Sequence, residues 1–443
     1  MKACTTSVKN LWQENNRLQF AATPTLTPAF KCQWQPIVES FAKVMANSSA
    51  QAPAAPLDGV RVLDLTSVLM GPLATRILGD MGADIIKIEP PEGDMLRTSG
   101  GSGLSPVMMN LYRNKRSVVL DLKHPEGKAA LEALIRTADV FVHNLRPQVM
   151  ERLGFTYQVV SAIKPDIIYC TATGFGGDGP YGEKPAYDDL IQAASGFASA
   201  SIPLTGEPAY APAVICDKLV GQAVAYSILG GLLHRARGGG GQLIEVPMFE
   251  VAIDFNLVEG LGGAVYTPPR GPSGWPRMKT VERRPFRTAD GFACILPYSS
   301  KNWFAFFDAV GRSDWKVRYA DRGKRMAEIE TLYAMIREEA PKRTTAEWAA
   351  FCDEADIPFM PVLTVEDIPD DPHVRAVDLM PILQHPTEGP YYAVRPPVRF
   401  GASPYRLRRH APGLGEHTAE VLAEVGHVPK SRSLLADDSR LTS

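Results

Sequence analysis

The chain has 443 residues, 45% of them hydrophobic and 22% charged, an ordinary globular balance with room for about two or three domains of roughly 150 residues each. A formal net charge of -2 excludes the broad basic surface of a nucleic-acid binder and leaves only local cationic patches for a phosphorylated ligand. The six cysteines (Cys4, Cys32, Cys170, Cys216, Cys294 and Cys352) form no CxxC pair, which argues against a metal site or disulfide framework and for reduced thiols in a cytoplasmic protein.

Residues 1–55 lack a hydrophobic period and run into Asn47-Ser48-Ser49-Ala50-Gln51-Ala52-Pro53, the composition of a disordered extension. They hold five basic and two acidic residues and no apolar stretch for secretion. A mitochondrial presequence is the alternative to a cytoplasmic location. Organised sequence begins at Leu57. Apolar runs predict strands over 59–65, 84–89, 139–142, 166–170 and 242–246. Between them, helices are expected over 71–78, 125–136, 218–237 and 248–258, with 90–106 a loop. Strands alternating with helices make an α/β protein with a parallel sheet. The longest apolar run, Leu219–Leu233, falls short of the roughly 20 residues a membrane span needs. After a Gly- and Pro-rich loop over 260–275, the pattern changes. Phe286–Leu296 reads as a hairpin turning at Asp290-Gly291, with helices near 302–310, 326–339 and 345–355. A strand over 391–400 and a helix over 416–425 close the chain. The expected division is an extension at 1–55, a large domain at 56–265, a smaller α+β domain at 266–372, and a return to the large one at 373–443.

Dinucleotide binding needs G-x-G-x-x-G in the first turn, but Thr66-Ser67-Val68-Leu69-Met70-Gly71-Pro72 has one glycine. Glu89 then reads as an ordinary strand-end acid. There is no G-x-S-x-G elbow, and all eight histidines lie outside 144–233. His143, at a strand end, reads as structural. Asp217 opens the helix that ends at Arg235-Ala236-Arg237-Gly238. Two readings of it stay open: a helix cap, or a nucleophile kept ionised by the helix N-terminus. Cys216 reads as a small buried hydrophobe.

Taken together, several segments are similar to class III CoA-transferases, the CaiB/BaiF family that includes formyl-CoA transferases. They are Pro56-Leu57-Asp58-Gly59-Val60-Arg61-Val62-Leu63-Asp64, Met70-Gly71-Pro72, Gly79–Glu89, Asn114-Lys115-Arg116-Ser117, Leu120-Asp121-Leu122-Lys123, Gly174-Phe175-Gly176, Asp178-Gly179-Pro180-Tyr181 and Gly415-Glu416-His417-Thr418. The resemblance covers about 56–430. It implies a Rossmann-like parallel-sheet large domain, a smaller α+β domain and an interlocked homodimer. It also implies Asp217 as the nucleophile, an acyl-CoA and a carboxylic acid as substrates, and neither a permanently bound cofactor nor a metal. Asp217 would form an acyl anhydride and then an aspartyl-CoA thioester, with backbone N–H groups steadying the oxyanions.

The family's CoA contacts carry over to Leu69, Met70, Leu120, Asp121, Leu122, Lys123, Asn144, Leu145, Arg146, Arg152, and the turn from Lys184 to Tyr187. Lys123, Arg146 and Arg152 would face phosphates, or else are solvated surface cations. Gly271-Pro272-Ser273-Gly274-Trp275 resembles the family's mobile glycine loop, or is a plain linker. Pro90-Pro91 stands where some members have an Arg. Arg283, Arg284 and Arg287 would pair a distal carboxylate, or lie on the surface. α-Methylacyl-CoA racemases share these motifs but place a His where this chain has Tyr187, so that a proton-transfer group is lacking. A CoA-binding protein without turnover is the remaining alternative.

Overall fold

In the computed structural model, which describes residues 55–99 and 104–427, the alternating apolar runs become a six-stranded sheet in the order β3-β2-β1-β4-β5-β6. The strands are β1 (Arg61–Leu65), β2 (Asp84–Glu89), β3 (Lys115–Val119), β4 (Val140–His143), β5 (Ile168–Thr173) and β6 (Gln242–Pro247). Every pair is parallel. The predicted disordered extension lies, but for Ala55, outside the described residues.

Period-two alternation sends neighbouring strand residues to opposite faces. Val62, Ile85, Val140, Ile168 and Val246 face a layer of α1 (Met70–Asp80), α6 (Asp188–Ala194), α7 (Ile215–Ala236) and α8 (Met248–Gly260). Leu63, Ile86, Val118, Phe141 and Tyr169 face α3 (Pro125–Ile135), α4 (Pro147–Leu153), α5 (Tyr157–Ile163) and α12 (Thr418–Glu424). A short α2 (Pro106–Leu111) precedes β3.

β3 is absent from the expected strands. Its charges hide it: Lys115 is fully buried against Asp64, and Arg116 pairs with Asp84 of β2 at 2.5 Å and with Glu424 of α12. The helix at 218–237 also starts earlier than expected, at Ile215. It packs closely on α1, since a Cβ at Gly221 would stand 2.7 Å from the Met70 carbonyl oxygen.

Residues 286–361 form a smaller antiparallel sheet, β7 (Phe286–Arg287), β8 (Phe292–Ile295) and β9 (Phe359–Pro361), in the order β7-β8-β9. The hairpin turns at Asp290-Gly291 as expected, with Thr288 N–H donating to the Gly291 carbonyl at 2.9 Å. With α9 (Ser300–Ala309), α10 (Ile329–Glu339) and α11 (Thr345–Ala355) the sheet buries its own core of Trp303, Phe306, Phe307 and Trp348.

The strand predicted over 391–400 does not form. A short antiparallel pair, β10 (Ile382–His385) with β11 (Gly389–Tyr392), stands instead. Pro396 and Pro397 have no N–H to give a ladder. Beyond it the chain runs along β3. Asn114 N–H donates to the Arg409 carbonyl, His417 N–H to the Ser117 carbonyl, and Val119 N–H to Thr418 Oγ1. Arg408 donates to the carbonyls of Gly79, Gly82 and Ala83 at 2.7–2.8 Å, which satisfies the open end of α1. Among the described residues no helix is long and apolar enough to cross a membrane.

Candidate active site

In an open parallel sheet the ligand crevice lies beyond the carboxyl ends of the strands, where the strand order reverses. Here that point falls between β1 and β4. The turn leaving β1 is held by side chains at each successive N–H. Thr66 N–H donates to Asp64 Oδ1 at 2.9 Å, Ser67 N–H to Asn144 Oδ1 at 2.8 Å, and Val68 N–H to Asp94 Oδ2 at 3.2 Å. Asn144 Nδ2 returns a bond to the Ser67 carbonyl. Val68 sits at φ 66, a left-handed conformation that a β-branched residue adopts only when its surroundings impose it.

Buried charges support this turn. Asp64 accepts from Thr66 Oγ1 and Thr75 Oγ1 at 2.6 Å each and from Lys115 Nζ at 3.1 Å. Burial alone would raise its carboxyl, but Lys115, Lys87 and the two threonines outweigh that and hold it near 2. Glu89 is not an ordinary strand-end acid. It is buried, accepts from Arg97 at 2.7 and 2.8 Å, from Ser117 Oγ and from the Asp94 N–H, and its carboxyl lies below the usual range. Lys115 and Ser117 reach these two acids from β3, 51 and 28 residues on, so no local spacing points to them.

Leu69 and Met70 follow the turn, and Met70 is buried with its carbonyl oxygen against Gly221 of α7. The first turn of α1 therefore lies against α7. Asn144 does not offer a free amide, because its side chain ties the β1 and β4 turns together. Leu120 is buried after β3, with half-buried Leu122 and Leu145 packed on the same core. Asp121 Oδ1 accepts from the Lys123 N–H. Lys123, Arg146 and Arg152 are exposed, and none of the three carries an ion pair among the described residues. Lys184 is exposed over the Tyr181 ring at 4.1 Å, and Tyr187 is exposed just before α6. The predicted contacts thus divide between the turns after β1, β3 and β4 and the segment leading into α6.

Asp217 is not a helix cap. It is the third residue of α7, whose flanking residue Val214 supplies no side-chain bond. Its N–H donates to Asp188 Oδ1 at 2.9 Å, and among the described residues its own carboxylate carries no hydrogen bond. The helix N-terminus does not dominate its titration. Burial first, and then the Asp188 charge, push it from the usual 3.8 up to about 6. It remains mostly ionised at neutral pH. Cys216 is buried, and its thiol is pushed up to about 12 by burial and the two aspartates, so it is inert as expected. His143 is also structural. Its Nε2 meets the Tyr169 hydroxyl at 2.9 Å, and burial lowers it to about 4.

The loop with Gly271–Trp275 folds back on the end of α8 and the residues after it. Gly274 N–H donates to the Gly260 carbonyl at 2.7 Å, and Gly263 N–H to the Pro272 carbonyl at 2.9 Å. A cavity of about 620 Å³ opens at Trp275, between Arg277, Tyr298, Trp303 and Tyr333. Apart from Trp275 it contains none of the expected site residues. Arg283, Arg284 and Arg287 are exposed, with Arg287 over the Phe292 ring. Asp188, the residue that acts on Asp217, was not singled out from the sequence. It lies 29 residues upstream, and only the packing of α6 on α7 brings it there.

The chain is 32% identical over 390 residues to the succinate–glutarate CoA-transferase of Agrobacterium fabrum, an overlap of 85% of this chain and 97% of that one. It is 32% identical over 399 residues to a formyl-CoA:oxalate CoA-transferase of Rhodopseudomonas palustris, covering 83% and 93%. Among solved structures, a CaiB/BaiF family protein from Brucella suis superposes with a TM-score of 0.73 at 28% identity, over 84% of this chain and all (100%) of the other. A Mycobacterium tuberculosis protein does so at 0.72 with 30% identity, covering 83% and 99%. Residues 57–418 match CoA-transferase family III as a whole, so the chain belongs to that family and is a CoA-transferase.

Proposed function

We propose that the protein moves CoA from an acyl-CoA donor to a free carboxylic acid through covalent intermediates on Asp217. The observation that carries this reading is the Asp217 carboxylate itself: without a hydrogen bond among the described residues, half-buried at a helix start, and raised to about 6 so that it is basic yet ionised at neutral pH. Asp217 attacks the thioester carbonyl carbon, the C–S bond breaks, and CoA leaves as thiolate from an aspartyl–acyl anhydride. The thiolate attacks Asp217 Cγ and expels the donor acid as its carboxylate, leaving an aspartyl-CoA thioester. The acceptor carboxylate attacks Cγ and releases the thiolate. The thiolate then takes the acceptor acyl group from the new anhydride, restoring Asp217. No proton changes hands in this sequence, so no imidazole is needed beside Asp217. That fits a buried, neutral His143 and an exposed Tyr187, and it gives the racemase reading no support.

The turns after β1, β3 and β4 would take the CoA chain through Leu69, Met70, Leu120–Lys123 and Leu145, with Asn144 holding the β1 turn. Lys123, Arg146 and Arg152 are exposed cations without an ion pair among the described residues and suit phosphates, and Lys184 and Tyr187 would close the other side. The named relatives act on succinate, glutarate and oxalate, which supports a short dicarboxylate acceptor. In the working form, residues 266–372 would be the inserted smaller domain, 373–443 would return to the large one, and two chains would interlock. The exposed loop at Gly271–Trp275 would then shield the anhydride from water.

The test is Asp217→Ala. A folded variant should lose transfer by several orders of magnitude, as expected for loss of a covalent nucleophile. With wild type, a donor acyl-CoA and hydroxylamine should convert Asp217 to its hydroxamate, located by mass spectrometry on Ala213–Lys218. Modification of Cys216 instead, or full activity in Asp217→Ala, would sink the reading.

A further inference from the structure

A buried carboxylate normally has a cation beside it, because an uncompensated charge in a low-dielectric interior is costly. Asp188 has none. It is 5% exposed, and its partners are the Asp217 N–H at 2.9 Å on Oδ1 and Gln192 Nε2 at 2.6 Å on Oδ2. Gln192, one turn later on α6 and 1% exposed, reaches in both directions. Its Nε2 also donates to the Ala213 carbonyl at 3.3 Å, and its Oε1 accepts from the Ala211 N–H at 2.9 Å. These two side chains thus organise the segment 211–217 that enters α7. They supply from a neighbouring helix the acceptor that Val214 lacks.

Capping alone does not require the charge, since asparagine caps as well as aspartate. Here the charge faces a second carboxylate. Charged groups on the elements packed against α7 are Arg76 and Asp80 on α1, Asp188 and Asp189 on α6, Glu245 on β6, and Glu250, Asp254 and Glu259 on α8. Of these, Asp188 is the one that acts on Asp217, and Lys218, next in the chain, is exposed. The repulsion lasts only while Asp217 is a free carboxylate. In both the anhydride and the thioester Asp217 is uncharged.

We infer that Asp188 is the positioning residue of Asp217: with Gln192 it sets the start of α7, and its negative charge favours the acylated, uncharged forms of Asp217 over the free carboxylate. The inference rests on the covalent role proposed for Asp217.

Asp188→Asn separates the two contributions, because the amide oxygen still accepts the Asp217 N–H while the charge is gone. The variant should keep its circular dichroism and melt somewhat lower than wild type, because its Nδ2 replaces the oxygen that accepts from Gln192 Nε2. Its KM for the donor should stay within about twofold, since Asp188 touches no substrate in this reading. The acid limb of kcat/KM should move down by about one pH unit, a tenfold change in proton affinity. The fraction of enzyme trapped by hydroxylamine during turnover should fall about fivefold or more, reflecting a lost bias of at most that tenfold. Should Asp188→Asn fail to fold, Asp188→Ser, also neutral and an acceptor, carries the same expectations. Gln192→Ala keeps the charge, so its acid limb should stay at the wild-type position while its melting temperature falls. An unchanged acid limb and trapped fraction in the neutral variant, with Asp217→Ala inactive, would overturn the inference and leave the nucleophile standing. An active Asp217→Ala would remove both.

Discussion

Ionised Asp217 works against the fold that holds it. Its carboxyl binds a proton more tightly in the native state, at about 6 against the usual 3.8, so raising the pH through that window costs native stability. The cost is absent below about pH 4, grows towards pH 6 and stays constant above. Asp217→Asn should therefore be more stable than wild type at pH 8, by on the order of 1–2 kcal/mol after allowing for partial exposure. The two proteins should converge near pH 4. Urea unfolding at both pH values checks this, and equal stability at pH 8 would contradict it. The same titration should appear in catalysis as a fall in kcat/KM below pH about 6, the position of the Asp217 group. At this scale the sequence was half legible. Asp217 stands out by its place among the motifs. The cap reading failed because Val214 and Ile215 carry no helix-start signal, so two helical residues ahead of Asp217 went unseen. Asp188 and the Asp64–Lys115 pair act across 29 and 51 positions, beyond any local pattern.

Between elements, the contact that places Asp217 is the crossing of α7 on α1. Gly221 allows it: an added Cβ would lie 2.7 Å from the Met70 carbonyl oxygen, a backbone atom unable to step aside. Gly221→Ala should cost about 1–3 kcal/mol, the range for overpacking, and should lower transfer by tilting the start of α7. Gly230, on the same helix, has nothing within 4 Å of its would-be Cβ. Gly230→Ala should leave activity unchanged and stabilise by up to about 1 kcal/mol through helix propensity. Thermal melts of the two variants decide; a harmless Gly221→Ala would mean that the helices have room. Five strands of the large sheet were readable because each carries a run of apolar residues, buried in β1, β2, β4 and β5 and partly exposed in β6. β3 was not, since Lys115-Arg116-Ser117 reads as surface until Asp64, Asp84 and Glu424 are seen beside it.

For the whole molecule, the proposed interlocked pair has a clear consequence. Chains threaded through each other cannot part without unfolding a domain, so dilution should give dimer or unfolded chain and no folded monomer. Tyr226 on α7, Phe255 and Val258 on α8, and Val265 just beyond are exposed apolar residues, with Val258 at 82%. Such a set suits burial by a second chain. Mass photometry at nanomolar concentration should show the dimer alone, and Val258→Asp should lower its melting temperature without releasing folded monomer; a folded monomer would count against the interlock. None of this was readable from periodicity, which reports what one chain buries in itself. It came with the family resemblance.

The hold that the last segment has on β3 bears on how the protein is made. β3 is an edge strand, and its outer side is met by Arg409, His417 and Thr418, while Arg408 closes the end of α1. A ribosome delivers these residues after nearly all of the sheet has emerged. Until then the growing polypeptide carries a bare strand edge beside an uncapped helix, an arrangement prone to pairing with other chains. Nascent chains arrested shortly before residue 405 should be cleaved readily by protease around 112–120, and the released full-length chain should be protected there.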